Sequence, residues 1–270
     1  MEIISSEIQA REVLRNYNDI VLVPTMGNLH DGHISLVNKA KELGKTIVSS
    51  IFVNPLQFGF NEDFDSYPRT LENDLEQLER AGSHFVFHPS EDILEDIKKR
   101  KAPSLSRKMC GKTRPEHFDG VVTIVGKLFE VVRPQFAVFG LKDYQQFLII
   151  KNLITLSDFE IEIIGSPIVR EQDGLAMSSR NNLLTHDNRL LAPEIYKILN
   201  WIKDNISEKS NENLIKESTD LLQTKGLTPE YLKICDPDTL EDLNDFSGRS
   251  LIAIAIKLGD VRLIDNILID

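Results

Sequence analysis

Residues 20–37 read IVLVPTMGNLHDGHISLV, and the change of pattern within this stretch decides the fold. The apolar run Ile20–Val23 predicts a buried β-strand, and apolar residues return with helical spacing from Ile34 onward. His30 and His33 therefore lie where a strand is followed by a helix. Ligands of open α/β sheets bind at this place, outside the carboxyl ends of the strands, and the helix N-terminus favours anions.

The first two thirds of the chain alternate short apolar runs with segments of helical spacing. The predicted strands are Ile20–Val23, Thr46–Phe52, His84–Phe87, Phe136–Phe139 and Ile161–Ile164. The predicted helices are Ser35–Leu43, Leu71–Ala81, Val121–Val132 and Tyr144–Leu156. This alternation predicts an α/β fold, a Rossmann-like parallel sheet with helices on both faces.

The remaining third of the chain has a different pattern. It predicts two helices followed by three strands: Asn188–Asn205, Asn211–Lys225, Tyr231–Cys235, Leu251–Lys257 and Val261–Ile269. Gly259 and Asp260 form a hairpin-type turn between the last two strands. We therefore expect a nucleotide-binding catalytic domain over residues 1–176 and a smaller C-terminal α+β lid domain over residues 177–270.

Composition and charge exclude several classes of function. The 270 residues are 41% hydrophobic and 27% charged, which is typical of a globular protein. The formal net charge of −11, without a basic stripe, argues against a nucleic-acid partner. No apolar run is long enough to span a membrane and no signal peptide precedes the first strand, so we expect a cytoplasmic protein. Cys110 and Cys235 are then expected to be free thiols.

The two histidines are the leading candidates for chemistry. Imidazole donors at a helix start can bind phosphate oxygens and stabilise charge on a leaving group. Gly27 and Gly32 let the backbone approach such a ligand closely. Two alternatives stay open, since His30 and His33 can also form part of a metal site or be incidental polar residues at a helix start.

Polar side chains recur after other predicted strands. Asn54 and Gln57 follow the second strand, where amides suit hydroxyl and carbonyl groups of a ligand. Lys142 follows the strand that ends at Phe139 and is a compact cation for a phosphate, with Gln146 one helical turn further on. Asp143 can cap the helix or contact a ribose or metal.

Two more segments are weaker candidates by themselves. Ser178, Ser179 and Arg180 can gather phosphate oxygens, although such a loop is often only a linker. His117 lies in a basic and aromatic stretch before a helix, and is a candidate for substrate contact. An acidic stretch around residues 63–74 is mostly a solvated face, in which one or two carboxylates can meet magnesium.

Together these segments resemble the pantoate–β-alanine ligase family. The matching strings span residues 24–181 in the family's order: PTMGNLHDGH, FVNPLQFG, HFDGVVTIV, FGLKDYQQ and GLAMSSRN. The His-x-Gly-His signature in the first string is similar to that of the nucleotidyltransferase superfamily, which includes class I aminoacyl-tRNA synthetases. The C-terminal region carries no such string.

The resemblance implies an ATP-dependent condensation of pantoate with β-alanine to pantothenate, AMP and pyrophosphate, through a pantoyl adenylate. It also implies Mg²⁺ beside ATP, small-molecule substrates only, and a homodimer. Two other functions remain as alternatives. One is a plain nucleotidyltransferase that acts on a phosphorylated substrate, and the other is a nucleotide-binding sensor that has lost a catalytic group.

The same resemblance implies a role for each matching residue. The catalytic set is His33, His30, Lys142 and Arg180, with His33 at the family's proton-donor position. The ATP-binding set is Met26, Gly27, Asn28, Leu29, His30, Asp31, Gly32, His33, Gly140, Leu141, Lys142, Asp143, Val169, Met177, Ser178, Ser179 and Arg180. The substrate-binding set is Gln57, Gln146, His117 and Asn54, and Asp74 matches a position near magnesium. Phe60, Asn73 and Leu141 depart from the family's usual residues.

Overall fold

The computed structural model describes residues 1–44, 46–59, 62–246 and 248–269, so Phe60 lies outside the described residues. The chain forms two compact units. The first comprises Met1–Leu141 and Gln145–Pro167, and the second comprises Lys142–Tyr144 and Ile168–Asp270.

The first unit contains a sheet of six parallel strands. These are β1 (Glu2–Ile4), β2 (Ile20–Thr25), β3 (Thr46–Ile51), β4 (Phe85–Phe87), β5 (Phe136–Gly140) and β6 (Glu162–Ser166). The accompanying helices are α1 (Glu7–Leu14), α2 (Asp31–Glu42), α3 (Leu71–Ala81), α4 (Cys110–Thr113), α5 (His117–Val132) and α6 (Tyr144–Thr155). The predicted parallel α/β sheet is confirmed, and β1 and α1 are elements that the sequence pattern did not predict.

The strand order of this sheet creates a switch point for ligand binding. The order is β1-β4-β3-β2-β5-β6, so the chain moves outward from β2 in one direction and then returns to add β5 on the other side. Loops after β2 and β5 leave the same edge of the sheet, since the strands are parallel. Open α/β sheets bind ligands in the crevice at such a point.

The elements that flank the His30 loop are fixed by the core of the first unit. Val21 and Val23 of β2 pack with Leu36 and Val37 of α2, and these four side chains are at most 7% exposed. Full burial of an aliphatic side chain of this kind contributes about 1.5–3 kcal/mol. The strand end and the helix start are therefore held rigidly on either side of the loop.

The second unit has an antiparallel sheet and three helices. The helices are α7 (His186–Leu191), α8 (Glu194–Asn205) and α9 (Asn211–Thr224). The strands β7 (Pro229–Cys235), β8 (Ser250–Leu258) and β9 (Val261–Ile269) pair in that order. The predicted small α+β unit is confirmed, and apolar side chains of α8 and β8 form its core.

One helix of this region differs from the sequence expectation. The single helix predicted over Asn188–Asn205 is wrong, because Pro193 separates α7 from α8 and a proline lacks the N–H that a continuous helix needs. Residues 168–176 lie in the second unit, since Arg170 forms a β-bridge with Ala176 and an ion pair with Asp265. The assignment of the two parts as a catalytic domain and a lid stays a prediction.

None of the helices in the described ranges has both the length and the apolar character that crossing a membrane requires.

Candidate active site

His30 and His33 cap the first turn of α2 as a reciprocal pair. His30 is the N-cap residue, and its Nδ1 accepts a hydrogen bond from the Gly32 backbone N–H at 3.1 Å. The Nδ1 of His33 accepts from the His30 backbone N–H at 3.3 Å. The two ring centroids lie 4.1 Å apart. The arrangement is a capping box built from imidazoles, and it fixes both rings at the helix N-terminus.

These hydrogen bonds assign the proton of each ring. A ring nitrogen that accepts a hydrogen bond carries no proton, so each neutral imidazole is the Nε2–H tautomer. An imidazolium at either position would place an N–H against the capping N–H and lose that bond. His30 and His33 therefore provide Nε2–H donors in the neutral form, which can stabilise negative charge that develops on a ligand.

A carboxylate from α3 holds the turn that precedes His30. Asp74 is 1% exposed, and its two oxygens accept the backbone N–H groups of Asn28 and Leu29, both at 2.8 Å. Thr70 Oγ1 donates to the same carboxylate at 3.1 Å. These two backbone N–H groups are therefore occupied within the protein, whereas the sequence pattern predicts that this backbone approaches a phosphate.

The described residues do not form a magnesium cage. Both oxygens of Asp74 already accept hydrogen bonds, so this carboxylate does not fit direct coordination of Mg²⁺. No group of three or more His, Cys, Asp or Glu side chains within the described ranges is arranged to hold a metal ion. Protein-bound Mg²⁺ often keeps several waters and binds through substrate phosphates. A magnesium ion near Asp74, held in that way, stays a prediction.

Two neighbouring side chains orient the Gln57 amide. Gln57 ends the short 3₁₀ turn Pro55–Gln57 that follows β3. Its Oε1 accepts from Asn54 Nδ2 at 3.0 Å, and its Nε2 donates to the sulfur of Met26 at 3.0 Å. Asn54 is 1% exposed and also donates to the Gly120 carbonyl at 3.2 Å. Asn54 thus supports Gln57 from the buried side, and its own substrate contact stays a prediction.

His117 and Arg114 hold the main chain of Gln57. His117 Nδ1 lies 2.8 Å from the Gln57 carbonyl oxygen, and Arg114 Nη2 donates to the same oxygen at 3.3 Å. Arg114 is itself paired with Glu62, with Nε 2.6 Å from Oε1. Burial alone would raise the pKa of Glu62, but the hydrogen bonds and charge of Arg114 lower it below the ordinary value. The Gln57 turn is therefore fixed from both its side chain and its backbone.

In the second unit, a hairpin pairs two residues of the predicted ATP set. The Met177 backbone N–H donates to the Val169 carbonyl at 3.0 Å. Asn181 closes the next turn, since its N–H donates to the Ser178 carbonyl at 2.9 Å and its Nδ2 donates to the Ala176 carbonyl at 3.1 Å. The Ser-Ser-Arg segment is therefore a tight, anchored turn rather than an open linker.

Lys142 belongs to the second unit, where the C-terminal strand holds its main chain. Asn266 of β9 is 5% exposed and donates from Nδ2 to the Lys142 carbonyl at 2.9 Å. The ammonium group of Lys142 lies 3.7 Å from the carboxylate of Asp143. The β9 strand thus supports a lysine that lies more than a hundred residues earlier in the chain.

A buried ion pair fixes the position of Asn266. The neighbouring residue Asp265 accepts from Nη1 and Nη2 of Arg170 at 2.6 and 2.9 Å. The guanidinium carbon of Arg170 lies 3.7 Å from the centroid of the Tyr196 ring. Burial raises the pKa of Asp265, and the hydrogen bonds and charge of Arg170 oppose that rise. The ion pair therefore ties β9 to the segment around Arg170 at the residue next to Asn266, which binds the Lys142 carbonyl.

Sequence reasoning missed the supporting roles of Asp74, Asp265 and Asn266. A signal for Asp74 was present, because helical spacing places it on the same buried face of α3 as Leu78 and Ala81. A carboxylate on the apolar face of a helix needs a hydrogen-bonding partner inside the protein. Asp265 and Asn266 gave a similar signal, as adjacent polar residues within an apolar strand.

The predicted site residues fall into two groups. In the first unit, Met26 and Gln57 are in direct contact, and Met26 begins the loop that leads to His30 and His33. Gly140 is the last residue of β5, the neighbour of β2, and Leu141 begins the short 3₁₀ turn that follows. Gln146 is half-buried in the first turn of α6. The second unit contains the rest of the ATP set: Lys142, Asp143, Val169 and Met177–Arg180. The chemical roles of all these residues stay predictions.

The sheet, its switch point and the paired imidazole donors at that edge define a doubly wound, nucleotide-binding α/β architecture. The particular family follows from a comparison of the whole chain. The chain belongs to the pantoate–β-alanine ligase family, because the model of that family, described as pantoate-beta-alanine ligase, matches residues 2–268.

Individual relatives agree with this family over nearly the whole length. The pantothenate synthetase of Psychrobacter sp. (strain PRwf-1) is 46% identical over 270 residues, covering 96% of this chain and 94% of that protein. The pantothenate synthetase of Desulfatibacillum aliphaticivorans is 44% identical over 276 residues, covering 98% of each. The similarity therefore includes both units of the chain.

Solved structures have the same fold. The crystal structure of pantothenate synthetase from Thermus thermophilus superposes with a TM-score of 0.95 at 37% identity, covering 99% of each chain. The pantoate-beta-alanine ligase of Francisella tularensis, complexed with beta-gamma ATP and beta-alanine, has a TM-score of 0.83 at 33% identity. That match covers 99% of this chain and 97% of the other.

Proposed function

We propose that the protein condenses (R)-pantoate with β-alanine at the expense of ATP. The products are pantothenate, AMP and pyrophosphate, and pantoyl adenylate is the intermediate. The observation that carries this proposal is the reciprocal His30–His33 cap after β2, in a chain that matches the ligase family over residues 2–268. The Francisella relative, described with an ATP ligand and β-alanine, supports the choice of these two substrates.

The reaction consists of two displacements. A carboxylate oxygen of pantoate attacks the α-phosphorus of ATP, the bond to the β-phosphate breaks, and pyrophosphate leaves. The deprotonated amine of β-alanine then attacks the acyl carbon, the acyl C–O bond breaks, and AMP leaves; the nitrogen gives up one proton to water as the amide forms. No enzyme nucleophile is needed, so the protein contributes alignment and stabilisation of charge.

The neutral imidazoles suit the first displacement. Negative charge builds on the departing pyrophosphate, and the Nε2–H groups of His30 and His33 can donate to its oxygens. His33 occupies the family's proton-donor position, and an Nε2–H can also transfer its proton to the leaving group. A preorganised donor of this kind contributes about 10²- to 10³-fold in rate.

Cationic and amide groups supply the remaining interactions. Lys142 and Arg180 bind phosphate oxygens, and Arg180 offers a fork of donors. Gln57 and Gln146 hold pantoate through its hydroxyl and carboxylate groups, with His117 and Asn54 close to the same substrate. The other residues of the predicted ATP set line the nucleotide. The Met177–Arg180 loop closes on the triphosphate and protects the adenylate from water.

Three finer points belong to the same proposal and rest on the family resemblance. Mg²⁺ accompanies the triphosphate, bound through phosphate oxygens and water rather than through a cage of protein carboxylates. The protein is a homodimer, which light scattering on the purified protein tests directly. Its location is the cytoplasm, which fractionation of cells with an antibody against the protein tests.

Pyrophosphate exchange tests the proposed function. We expect labelled pyrophosphate to enter ATP only when pantoate is present, without any need for β-alanine. With ¹⁸O in the pantoate carboxylate, addition of β-alanine should then deliver one labelled oxygen to AMP. Folded protein that gives no pantoate-dependent exchange would contradict the proposal, and release of ADP with phosphate would indicate activation at the γ-phosphate instead.

The alternative functions give different results in the same assay. A plain nucleotidyltransferase should exchange pyrophosphate only with a phosphorylated substrate and not with pantoate. A nucleotide sensor should bind ATP without exchange. A sensor of this kind would have lost a catalytic group, yet His30, His33, Lys142 and Arg180 are all present.

A further inference from the structure

We propose that Asp74 is a positioning residue, which sets the places of His30 and His33 through the main chain, and that it is not a ligand of magnesium. The inference rests on the proposed function, because it concerns the two imidazoles that act on the departing pyrophosphate. It assigns to a buried carboxylate of α3 a role in the geometry of the active site.

The turn before His30 has the shape of an anion-binding site. Gly27 and Asn28 have φ values of +81° and +49°, so two successive residues adopt the left-handed region. Successive N–H groups in such turns form a concave site for an anion. The anion in this site is the Asp74 carboxylate, with one oxygen 2.8 Å from the Asn28 nitrogen and the other 2.8 Å from the Leu29 nitrogen.

The turn and the Asp74 carboxylate fit one another closely. A Cβ at position 27 would lie 3.0 Å from Asp74 Oδ2 and 3.2 Å from Ile51 Cγ2, in a backbone conformation that side chains rarely adopt. Only glycine therefore lets the turn approach α3 this closely. The glycine that looks like part of a phosphate loop in the sequence serves the contact with Asp74.

Helix α3 also holds Leu29, the residue that precedes the N-cap residue His30. Asp74 accepts the Leu29 N–H, and Gln77 Nε2 lies 3.5 Å from the Leu29 carbonyl oxygen. The Leu29 side chain is 7% exposed and belongs to the core. A shift of Leu29 would move the backbone N–H of His30, to which the His33 ring is bonded. Asp74 thus acts on both imidazoles through one peptide segment.

The arrangement depends on two acceptor oxygens at position 74. A carboxylate accepts at both oxygens, whereas an asparagine amide presents one oxygen and one NH₂ group. In Asp74→Asn, the NH₂ group would face one of the two backbone N–H groups and open the turn. The isosteric variant therefore removes the positioning while it keeps the size of the side chain.

The experiment compares Asp74→Asn with Glu72→Gln, a matched control that removes one exposed carboxylate from the same helical turn. We expect kcat for pantoate-dependent exchange to fall roughly 10- to 100-fold in Asp74→Asn, as for a small misplacement of catalytic groups. The KM values for ATP and pantoate should change by less than about threefold. Glu72→Gln should retain the wild-type kcat.

Magnesium titration separates positioning from metal binding. If Asp74 positions the histidines, the Mg²⁺ concentration for half-maximal rate stays within about twofold of wild type, and excess Mg²⁺ does not restore kcat. A large rise in that concentration, with recovery of kcat at high Mg²⁺, would overturn the proposal in favour of a metal ligand. Unchanged kcat in Asp74→Asn would overturn it as well.

Two further measurements distinguish positioning from a merely structural effect. In a His33→Ala background, Asp74→Asn should cause much less additional loss of kcat than it causes alone, because both act on the same step. Full additivity would contradict the coupling. Imidazole NMR signals of His30 and His33 should shift in unliganded Asp74→Asn and stay in place in Glu72→Gln.

A milder variant decides the outcome if Asp74→Asn does not fold. Thr70→Val removes only the hydroxyl donor to Asp74 and leaves the carboxylate in place. It should lower kcat several-fold with unchanged magnesium dependence, and a wild-type rate would overturn the proposal. The imidazole NMR signals are measured without substrate. If the proposed function is wrong, wild-type protein gives no exchange, but the signals still report whether Asp74 positions the two rings. If only this inference is wrong, wild-type protein exchanges pyrophosphate and the signals do not shift in Asp74→Asn.

Discussion

The His30 loop and the Lys142 segment are both strand-to-helix junctions, yet the protein holds them in opposite ways. The loop before His30 has its backbone N–H groups bound by a buried carboxylate, Asp74. The Lys142 segment has its backbone carbonyl bound by a buried amide, Asn266. In each case a side chain distant in sequence fixes the main chain, and the main chain then places the predicted catalytic group.

The imidazoles and the Lys142 ammonium group differ in how firmly their side chains are held. The imidazoles of His30 and His33 also bond the backbone of their own helix, so each ring has a single orientation. Lys142 has a flexible side chain; its backbone carbonyl is bound by Asn266, and its ammonium group has a long contact, 3.7 Å, with the neighbouring Asp143. Such a side chain suits a compact cation that must follow a phosphate. We therefore expect losses at the histidines to appear in kcat, and losses around Lys142 to appear mainly in KM for ATP.

The largest effect is expected for His33→Ala. Exchange of pyrophosphate should fall by about 10²- to 10³-fold, because one preorganised donor to the leaving group is lost. The melting temperature should change little, since the substitution removes one capping bond worth about 1 kcal/mol. A collapse of the melting temperature together with activity would show that His33 is structural.

Lys142→Ala should have the next largest effect. Loss of a charged hydrogen bond to phosphate costs about 1.5–3 kcal/mol, and we expect most of it as a higher KM for ATP in the exchange assay. KM for pantoate should stay close to wild type. Wild-type turnover at low ATP would refute the role of this lysine, and a loss confined to kcat would break the contrast with His33.

Asn266→Leu should reproduce part of the Lys142 effect. Leucine keeps the volume of the side chain but removes the donor to the Lys142 carbonyl, so KM for ATP should rise about threefold to tenfold. Combined with Lys142→Ala, it should add little further change. Arg262→Gln on the same strand, which removes the ion pair with Glu230, is the matched control and should behave like wild type.

The smallest effect concerns one ion pair in each unit, Arg114–Glu62 in the first and Arg189–Asp173 in the second. Burial opposes the shift, but the pairing with Arg114 lowers the pKa of Glu62 below 4.5, and the pairing with Arg189 likewise lowers that of Asp173 below 3.8. A carboxyl group whose pKa is lowered in the folded protein stabilises the fold at pH values above its ordinary pKa. This stabilisation is lost as the pH falls through the lowered pKa.

Melting curves from pH 3 to pH 7 measure this effect. At neutral pH, Glu62→Gln should melt a few degrees below wild type, because 1 kcal/mol corresponds to about 2–4 °C in a protein of this size. The two curves should converge well below pH 4.5. Asp173→Asn should have the weaker effect, since its ion pair is more exposed, and an equal effect would remove the contrast between the two regions.

Much of the architecture followed from local pattern. The runs at Ile20–Val23 and Phe136–Phe139 predicted β2 and β5, because a buried parallel strand needs a short apolar segment. The helix over Leu71–Ala81 was predicted with its observed bounds. The break at Pro193 was missed because apolar residues keep helical spacing on both sides of it.

The candidate site was predictable only where its residues lie in recognisable strings. His30, Gln57 and Lys142 are in such strings, and the family to which the chain belongs was predicted from them. Asp74 and Asn266 are not, because a single polar residue in an apolar helix or strand does not identify its partner. Which backbone group such a residue binds depends on the packing of elements far apart in the chain.

The sequence alone determined the parallel sheet, the junction that carries His30 and His33, and the family. Those follow from the periodicity of apolar residues and from contiguous motifs, which are local properties of the chain. Only the tertiary structure decided that the turn before His30 encloses a protein carboxylate and that β9 supports Lys142. The physical reason is that buried hydrogen-bonding groups must find partners, and packing alone brings those partners within 3 Å.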